Sequence, residues 1–480
     1  MISCRAKRGD WLVWSTVLFL GLPYLIFSIA WVRWYLAIPF TGVLLLSFWK
    51  ALSSEMQGGQ TAPLLLRWQP IIAISALILG WNYFSGVGYF SYQNADWEKH
   101  NAILLDLIHK DWPVTYTIIR GGTHSYNLVY YLAYYLPIAV IGKIVQAKFA
   151  VTYFAYTWNV IATALAVAWL FRFTGGVSVL VVCGFIFFSG LDIVPFYMKH
   201  LSPSSAQHIE AWTGVGMLQF SSNSTTLYWV PQHGFGAWLG TSLVLHQYLK
   251  KNDSRNTLFY WALSLFWSPF IFIGQFLFVA LDLIYKKCTK LISFQNIVGG
   301  GITIVILGLF YSSRSVSNKI EFFTLQQLAD NWYLFLVFIT LEFLVYLPFI
   351  AWIFRTGVEK RYRYLCVPLI GNVIGAMIFH LGAYNDFCMR VSLPGLFILQ
   401  ILLFKNFVPF GGTQWRRVAN VLLIAVLIVG AQTSIREIYR GVAGPKSTIN
   451  LSNTLMNDLD FSFLYLGSID SVYSKQIAAP

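Results

Sequence analysis

Long apolar runs are the feature that most constrains this chain. Thirteen stretches approach or exceed the ~20 apolar residues that a helix needs to cross a bilayer: 11–32, 34–50, 69–87, 127–146, 148–171, 177–191, 227–248, 257–284, 295–311, 331–354, 362–382, 391–407 and 415–433. No soluble domain fits between them, and there is no internal repeat or low-complexity tract. Composition excludes the other classes. Of 480 residues, 57% are hydrophobic and 11% charged, against about 25% charged in an ordinary soluble domain. A soluble globule could not hide that much apolar surface, and disorder requires the opposite balance. The expected class is an all-α, polytopic transmembrane bundle of 11–13 segments, because helices satisfy their own backbone groups in lipid.

The formal charge of +14 sits mostly in short clusters between the apolar runs. That distribution points to cytoplasmic loops and anionic lipid rather than nucleic acid. Cys4, Cys183, Cys288, Cys366 and Cys388 are scattered, with no CxxC pair to suggest zinc or a disulfide framework. Arg5, Lys7 and Arg8 precede the first apolar run with no small-residue cleavage site after it, so the first helix is expected to be retained and the N-terminus to be cytoplasmic.

Lys50 and Arg67 place the second loop inside, so the loop at 88–126 lies outside, as does 192–226. Lys360, Arg361 and Arg363 are inside, and so are Lys405, Arg416 and Arg417. Asn385–Arg390 and a short tail, 434–480, are then outside, with 1–433 as the membrane domain. Two segments resist simple crossing. Residues 257–284 have basic residues on both flanks and carry Trp267-Ser268-Pro269 in the middle, which predicts a helical hairpin bent at Pro269. Residues 127–171 offer two apolar segments where an inside Arg172 requires one crossing. The Tyr-rich 127–146 is expected to lie partly in the interface; in the alternative, both cross and Arg172 faces outward.

Polar chemistry gathers in the outside segments. Asp96 and Glu98 form a D-x-E pair just after a span. On a helix Asp96 shares a face with His100 at i+4, while Glu98 turns aside. A carboxylate here could act as general base toward a hydroxyl, bind a divalent cation such as Mg or Mn through Asp96 and Glu98, or be an ordinary solvated side chain. His124 lies in the same loop. The second stretch holds Asp192, Lys199, His200, Gln207, His208, Glu210 and Trp212, followed by Ser221–Thr226, Gln232 and His233. Aromatic rings beside amides and hydroxyls suit sugars, and they equally describe an interfacial belt. His200, His208, Glu210 and His233 lack the spacing of a zinc site. The third stretch is Asn385-Asp386-Phe387-Cys388-Met389-Arg390. Arg390 suits a phosphate, or it snorkels with Asp386 as its i+4 partner. Glu342 and His380 are the notable ionisable groups within apolar runs.

An acidic pair in the first large outside loop, here Asp96-Trp97-Glu98-Lys99-His100-Asn101, resembles the signature of the GT-C superfamily of integral-membrane glycosyltransferases. The Tyr/Pro-rich Leu128–Pro137, ending at Gly142-Lys143, is similar to the segment that follows that loop. Asn385–Arg390 and Leu466-Gly467-Ser468 extend the likeness. The resemblance implies an outward-facing cavity in the cell membrane, a sugar donor on polyprenyl phosphate or diphosphate, and a glycan or lipid hydroxyl as acceptor. It implies Asp96 as base, Glu98 as second acid orienting the acceptor or a cation, and Arg390 on the donor phosphate. His100, His124, His208, Glu210, Gln232, His233, Asn385 and Asp386 join Arg390 as substrate-binding candidates. The chain departs from the pattern in two extra spans before the acidic loop and in its short tail, which argues against transfer to protein sequons. Competing readings are a transporter or flippase for a lipid-linked glycan, working through Glu342 and His380, and a polysaccharide polymerase or ligase.

Overall fold

The apolar runs fold as helices, and where they break, the breaks carry the architecture. The computed structural model describes residues 10–56, 68–119, 123–198, 208–212, 217–250, 252–315, 320–322, 325–355, 357–382, 384–405, 414–448, 450, 453–457 and 463–479. The helices run in order α1 Trp11–Ala30, α2 Trp34–Met56, α3 Trp68–Tyr83, α4 Asp96–His109, α5 Leu136–Val145, α6 Lys148–Thr174, α7 Val179–Ile186, α8 Ile193–Met198, α9 Asn223–Trp229, α10 Pro231–Phe235 and α11 Thr241–Leu249. They continue with α12 Thr257–Ala262, α13 Pro269–Tyr285, α14 Gly301–Ser312, α15 Leu325–Glu342, α16 Leu347–Phe354, α17 Lys360–Tyr364, α18 Cys366–Ile378, α19 Asp386–Val391, α20 Leu393–Phe404 and α21 Gln414–Ala443. Among the described residues, seven helical stretches are long and apolar enough to cross a membrane: Trp11–Ala30, Trp34–Met56, Lys148–Thr174, Gln295–Ser312, Asp330–Phe354, Asp386–Phe404 and Gln414–Ala443. The molecule is a helical membrane protein.

It is not purely helical. Strands β1 Thr115–Ile119 and β2 Thr123–Leu128 form an antiparallel hairpin in the first long loop, and β5 Leu466–Ser468 adds to the other edge of β2. A second small sheet pairs β3 Ile320–Phe322 with β4 Phe379–Leu381. The five strands among the described residues are short, and alternation over a few residues is too brief to register in a chain this apolar.

Contacts sort the bundle into two ends. At one, Arg172 closing α6 forms a bidentate pair with Asp10, the N-cap of α1, at 2.6 and 2.9 Å. Lys405 donates to the Phe173 carbonyl, Arg361 to that of Leu249, and Lys250 pairs with Glu55 at 2.5 Å. Most of the described basic residues that oriented the sequence thus meet at one end, whereas Arg5, Lys7, Arg8 and Arg67 fall outside the described residues. At the other end lie α4, the three-stranded sheet and the final residues. Exposed Trp34 and Trp332 open α2 and the α15 span near this end, and exposed Trp11 opens α1 at the basic one, the levels at which indole rings settle in a bilayer.

The segment 257–284 is a hairpin, with a correction to its hinge. Ser268 is an N-cap whose hydroxyl accepts from the Ile271 amide, and Pro269 takes the first helical position, where its missing N–H costs nothing. Proline therefore starts the returning helix, and the turn is the non-helical stretch before it. Thr257 donates to Asp282 at 2.6 Å, and the Ser254 amide to the Thr289 carbonyl, so both arms begin and end at the basic end. The tip is buried mid-bundle, where irregular backbone survives only with partners from the protein. Tyr24 supplies two of them, donating to the Ala262 carbonyl and accepting from the Phe266 amide. Tyr311 donates to the Phe266 carbonyl.

Within 127–171 only α6 is long enough to cross. Helix α5 has ten residues, about 15 Å at 1.5 Å per residue. The residues before it form strand β2 and a single 3-10 turn, Leu132–Tyr134. Two other expected limits move. The run 177–191 yields the eight-residue α7, and the last helix continues from 433 to Ala443, so ten residues assigned to the tail are helical. The rest of the tail does not hang free: Arg33 bonds the Ala478 carbonyl, and Tyr473 packs against Phe27 and Phe310.

Candidate functional site

The site is built around the first turn of α4. Asn94 caps the turn by accepting from the Asp96 amide. Trp97 anchors its underside, donating to the Ser85 and Tyr228 carbonyls. This fixes Asp96 and Lys99 on a common side, three residues apart and 3.4 Å between charged atoms. The Asp96 side chain keeps 30% of its exposure, whereas that of Lys99 keeps 7%. Burial pushes the Asp96 carboxyl up, but the neighbouring Lys99 ammonium and the Arg390 guanidinium outweigh it and hold the group below the usual carboxylate range. Burial would lower the Lys99 ammonium, but the Asp96 carboxylate beside it helps hold it above its ordinary value.

Three further elements close on this pair. The turn after β2 brings Tyr130, whose ring lies tilted against Tyr131 at 4.6 Å and meets Tyr465 edge-on at 4.9 Å. Helix α10 brings Gln232, whose amide donates to the Tyr130 hydroxyl at 3.3 Å, and His233, 5.0 Å from the Tyr131 ring. Helix α19 brings Arg390, over the Phe270 ring at 5.5 Å and paired with Asp386 at 2.9 Å. The hairpin tip forms the floor, with Ser268 bonded to His233 Nδ1 at 2.7 Å. Arg314, following α14, lies over the Tyr131 ring at 5.5 Å.

The expected residues fare differently. Asp96, Gln232, His233, Asp386 and Arg390 converge. Glu98 is exposed and turned aside, as the helical spacing implied. The D-x-E pair therefore does not fit a divalent cation: the carboxylates diverge, and an ammonium occupies the place beside Asp96. Among the described residues no cluster of three His, Cys, Asp or Glu side chains could hold a metal ion. His100 is corrected from a substrate contact to an internal tie. Its Nε2 meets the Trp229 carbonyl at 2.8 Å and its Nδ1 the Tyr135 hydroxyl at 2.5 Å. Burial and Lys99 hold it at about 3, so it is neutral and both nitrogens are used. His124 is exposed on β2, opposite Ile118 in the β hairpin, and no contact brings it to Asp96. Asn385 caps α19, accepting from the Cys388 amide in a left-handed conformation; its Nδ2 has no partner.

His208 and Glu210 belong to a separate, adjoining network. His208 lies between Glu437, at 3.4 Å, and Glu210, at 3.8 Å. Burial alone would lower the imidazole, but the two carboxylates raise it. Glu210 also accepts from the Ser222 amide and the Thr225 hydroxyl, and burial pushes it up to about 7. Trp229 joins the two regions: its indole donates to Glu437 and its carbonyl accepts from His100. Lys199, His200 and Gln207 lie outside the described residues. Glu342 and His380 are not brought together. Glu342 abuts Gly190, where a Cβ would fall 1.7 Å from its Oε2. His380 lies on β4 opposite Glu321 rather than in a helix.

Sequence reasoning missed Lys99, Arg314, Tyr130, Tyr131, Tyr465 and Glu437. Lys99 carried a signal, the i+3 spacing from Asp96. The tyrosines were masked by their resemblance to an interfacial belt, and nothing local could link residue 465 to residue 130. No known protein family, curated protein or solved structure matches the chain.

Proposed function

We propose that this chain is a membrane glycosyltransferase of the GT-C type, moving a sugar from a polyprenyl-phosphate-linked donor to a hydroxyl of a glycan or lipid on the outer face of the cell membrane. The observation that carries the reading is a partly exposed carboxylate, Asp96, set among the buried cations Lys99 and Arg390 at the end of the bundle remote from the basic loops. Asp96 takes the acceptor hydroxyl proton. The acceptor oxygen then bonds the anomeric carbon while the bond from that carbon to the phosphate oxygen breaks. The phosphate leaves with the electron pair, its growing charge met by Arg390 and Lys99 in surroundings that strengthen such contacts. In this orientation the basic end is cytoplasmic and the first long loop, the β5 segment and the site face outward.

The test is transfer of a radiolabelled sugar from membrane lipid-linked donors by the Asp96→Asn protein. Loss of a general base costs about 10²–10⁴-fold, with the melting midpoint little changed, whereas Glu98→Gln retains most of the rate. Full activity in Asp96→Asn would remove the base and the reading with it.

A further inference from the structure

The polar groups around Asp96 hold more than one unmet bond. His233 is fully buried and its Nε2 has no partner among the described residues. Among the described residues His233 Nδ1 is the one acceptor for the Ser268 hydroxyl proton, and with that bond made the ring proton sits on Nε2. That donor is aimed where no protein acceptor stands. Arg314 Nε is likewise buried and unpartnered. Tyr131 links the cations: Arg314 covers its ring, and the ring meets Phe270 at 6.2 Å, which Arg390 covers in turn. Two buried donors without acceptors, beside the paired cations Lys99 and Arg390, define a site for oxyanions.

The charge of that site decides which oxyanion. Among the described residues it holds three cations, Lys99, Arg314 and Arg390, and two carboxylates, Asp96 and Asp386. One positive charge is left over, and buried charge is costly unless balanced. A sugar on a single lipid phosphate is a phosphodiester carrying one negative charge; on a diphosphate it carries two. When the acceptor proton moves to Asp96, the site gains one positive charge as the departing phosphate gains one negative charge, so the balance with a monophosphate holds from substrate to product.

We infer that Lys99, Arg314 and His233 act with Arg390 as one oxyanion site matched to a single phosphate, and that the donor is therefore a lipid monophosphate sugar rather than a diphosphate one. This rests on the transferase reading for the sugar but not for the phosphate. It makes a further demand: binding of the free lipid phosphate, the dianionic product, draws one proton onto Asp96.

The test is calorimetric titration of the full chain in nanodiscs of uncharged lipid with farnesyl phosphate, farnesyl diphosphate and inorganic phosphate, at a pH where the monophosphate is dianionic and in buffers of different ionisation enthalpy. Farnesyl phosphate should bind tightest and take up about one proton per site; in Asp96→Asn it should bind at least as tightly with no uptake. Lys99→Gln and Arg314→Gln should each weaken it about tenfold or more, the scale of a lost charge-assisted bond. Lys475→Ala, an exposed lysine paired with Asp470, should leave it unchanged and control for folding. If inorganic phosphate binds as tightly as farnesyl phosphate, the oxyanion site stands and needs no lipid. Tighter binding of the diphosphate, or no proton uptake in the unmodified protein, overturns the inference and leaves the transferase reading intact. Binding as described with no sugar transfer sinks the transferase reading alone.

Discussion

His208 ties the segment that carries α9 to α21, and the carboxylates of Glu437 and Glu210 favour its charged form. Glu210 and Glu437 face its two nitrogens, with Arg440 and Asp192 the next charged neighbours. Because the folded protein raises its pKa, the stabilisation is complete below the ordinary imidazole value of ~6.5 and is lost as pH rises through the higher folded value. The melting midpoint of the detergent-solubilised protein should therefore drift downward as pH rises above about 6.5. His208→Gln should be less stable in acid and should lose much of that drift. An unchanged slope in the variant would mean that the imidazole is neutral in the folded state. The same residue shows what a sequence can reveal. Its proximity to Glu210 was visible at i+2, but Glu437 comes from 229 positions away and was read as part of a tail.

The hairpin α12–α13 is the element best foreseen, because basic residues on both flanks of one apolar run forbid a single crossing. Its hinge was misjudged because Ser-Pro reads equally as a break or as a helix start, and only the N-cap bond at Ser268 decides. Asp282 ties the arms at the basic end, accepting from Thr257 of α12 and pairing with the buried Lys286 at 2.6 Å. Lys286 also donates to the carbonyl of Gln247 in the last turn of α11 and to that of Asp253 beyond it. Removing one member strands the other, so Lys286→Met should cost about 3–5 kcal/mol in equilibrium unfolding, and replacing both, Asp282→Leu with Lys286→Met, should recover much of that loss. A double variant no better than the single one would assign the stability to the carbonyl bonds instead. The strands escaped notice for a different reason. Three residues of β5 carry no pattern of their own; they become a strand because β2 offers them a free edge.

At the scale of the whole molecule, the last residues belong to the core of the site end. Val129 bonds the Tyr465 carbonyl, Ser468 bonds Ser313, and Ala479 bonds Trp31, so the C-terminal segment stitches together the first loop, the end of α14 and the α1–α2 corner. Gly467 is the tightest point: a Cβ there would come within 2.4 Å of Val129 and 3.0 Å of Ser313. Gly467→Val should overpack that junction by about 1–3 kcal/mol, lowering the melting midpoint. Unaltered stability would show that the strand is only loosely seated. The bundle was legible from apolar runs and basic clusters, which act through the bilayer at every span. The site was legible only in part: the pairs Asp96–Lys99 and Asp386–Arg390 are each local, but their pairing with one another joins pieces of chain hundreds of positions apart. That pairing also orders the protein's birth. Helices threaded into the membrane during translation can dock early, but the surroundings of Asp96 lack Tyr465 and the third strand until residues 465–468 have been made, so this end of the bundle closes only after a segment far downstream has emerged.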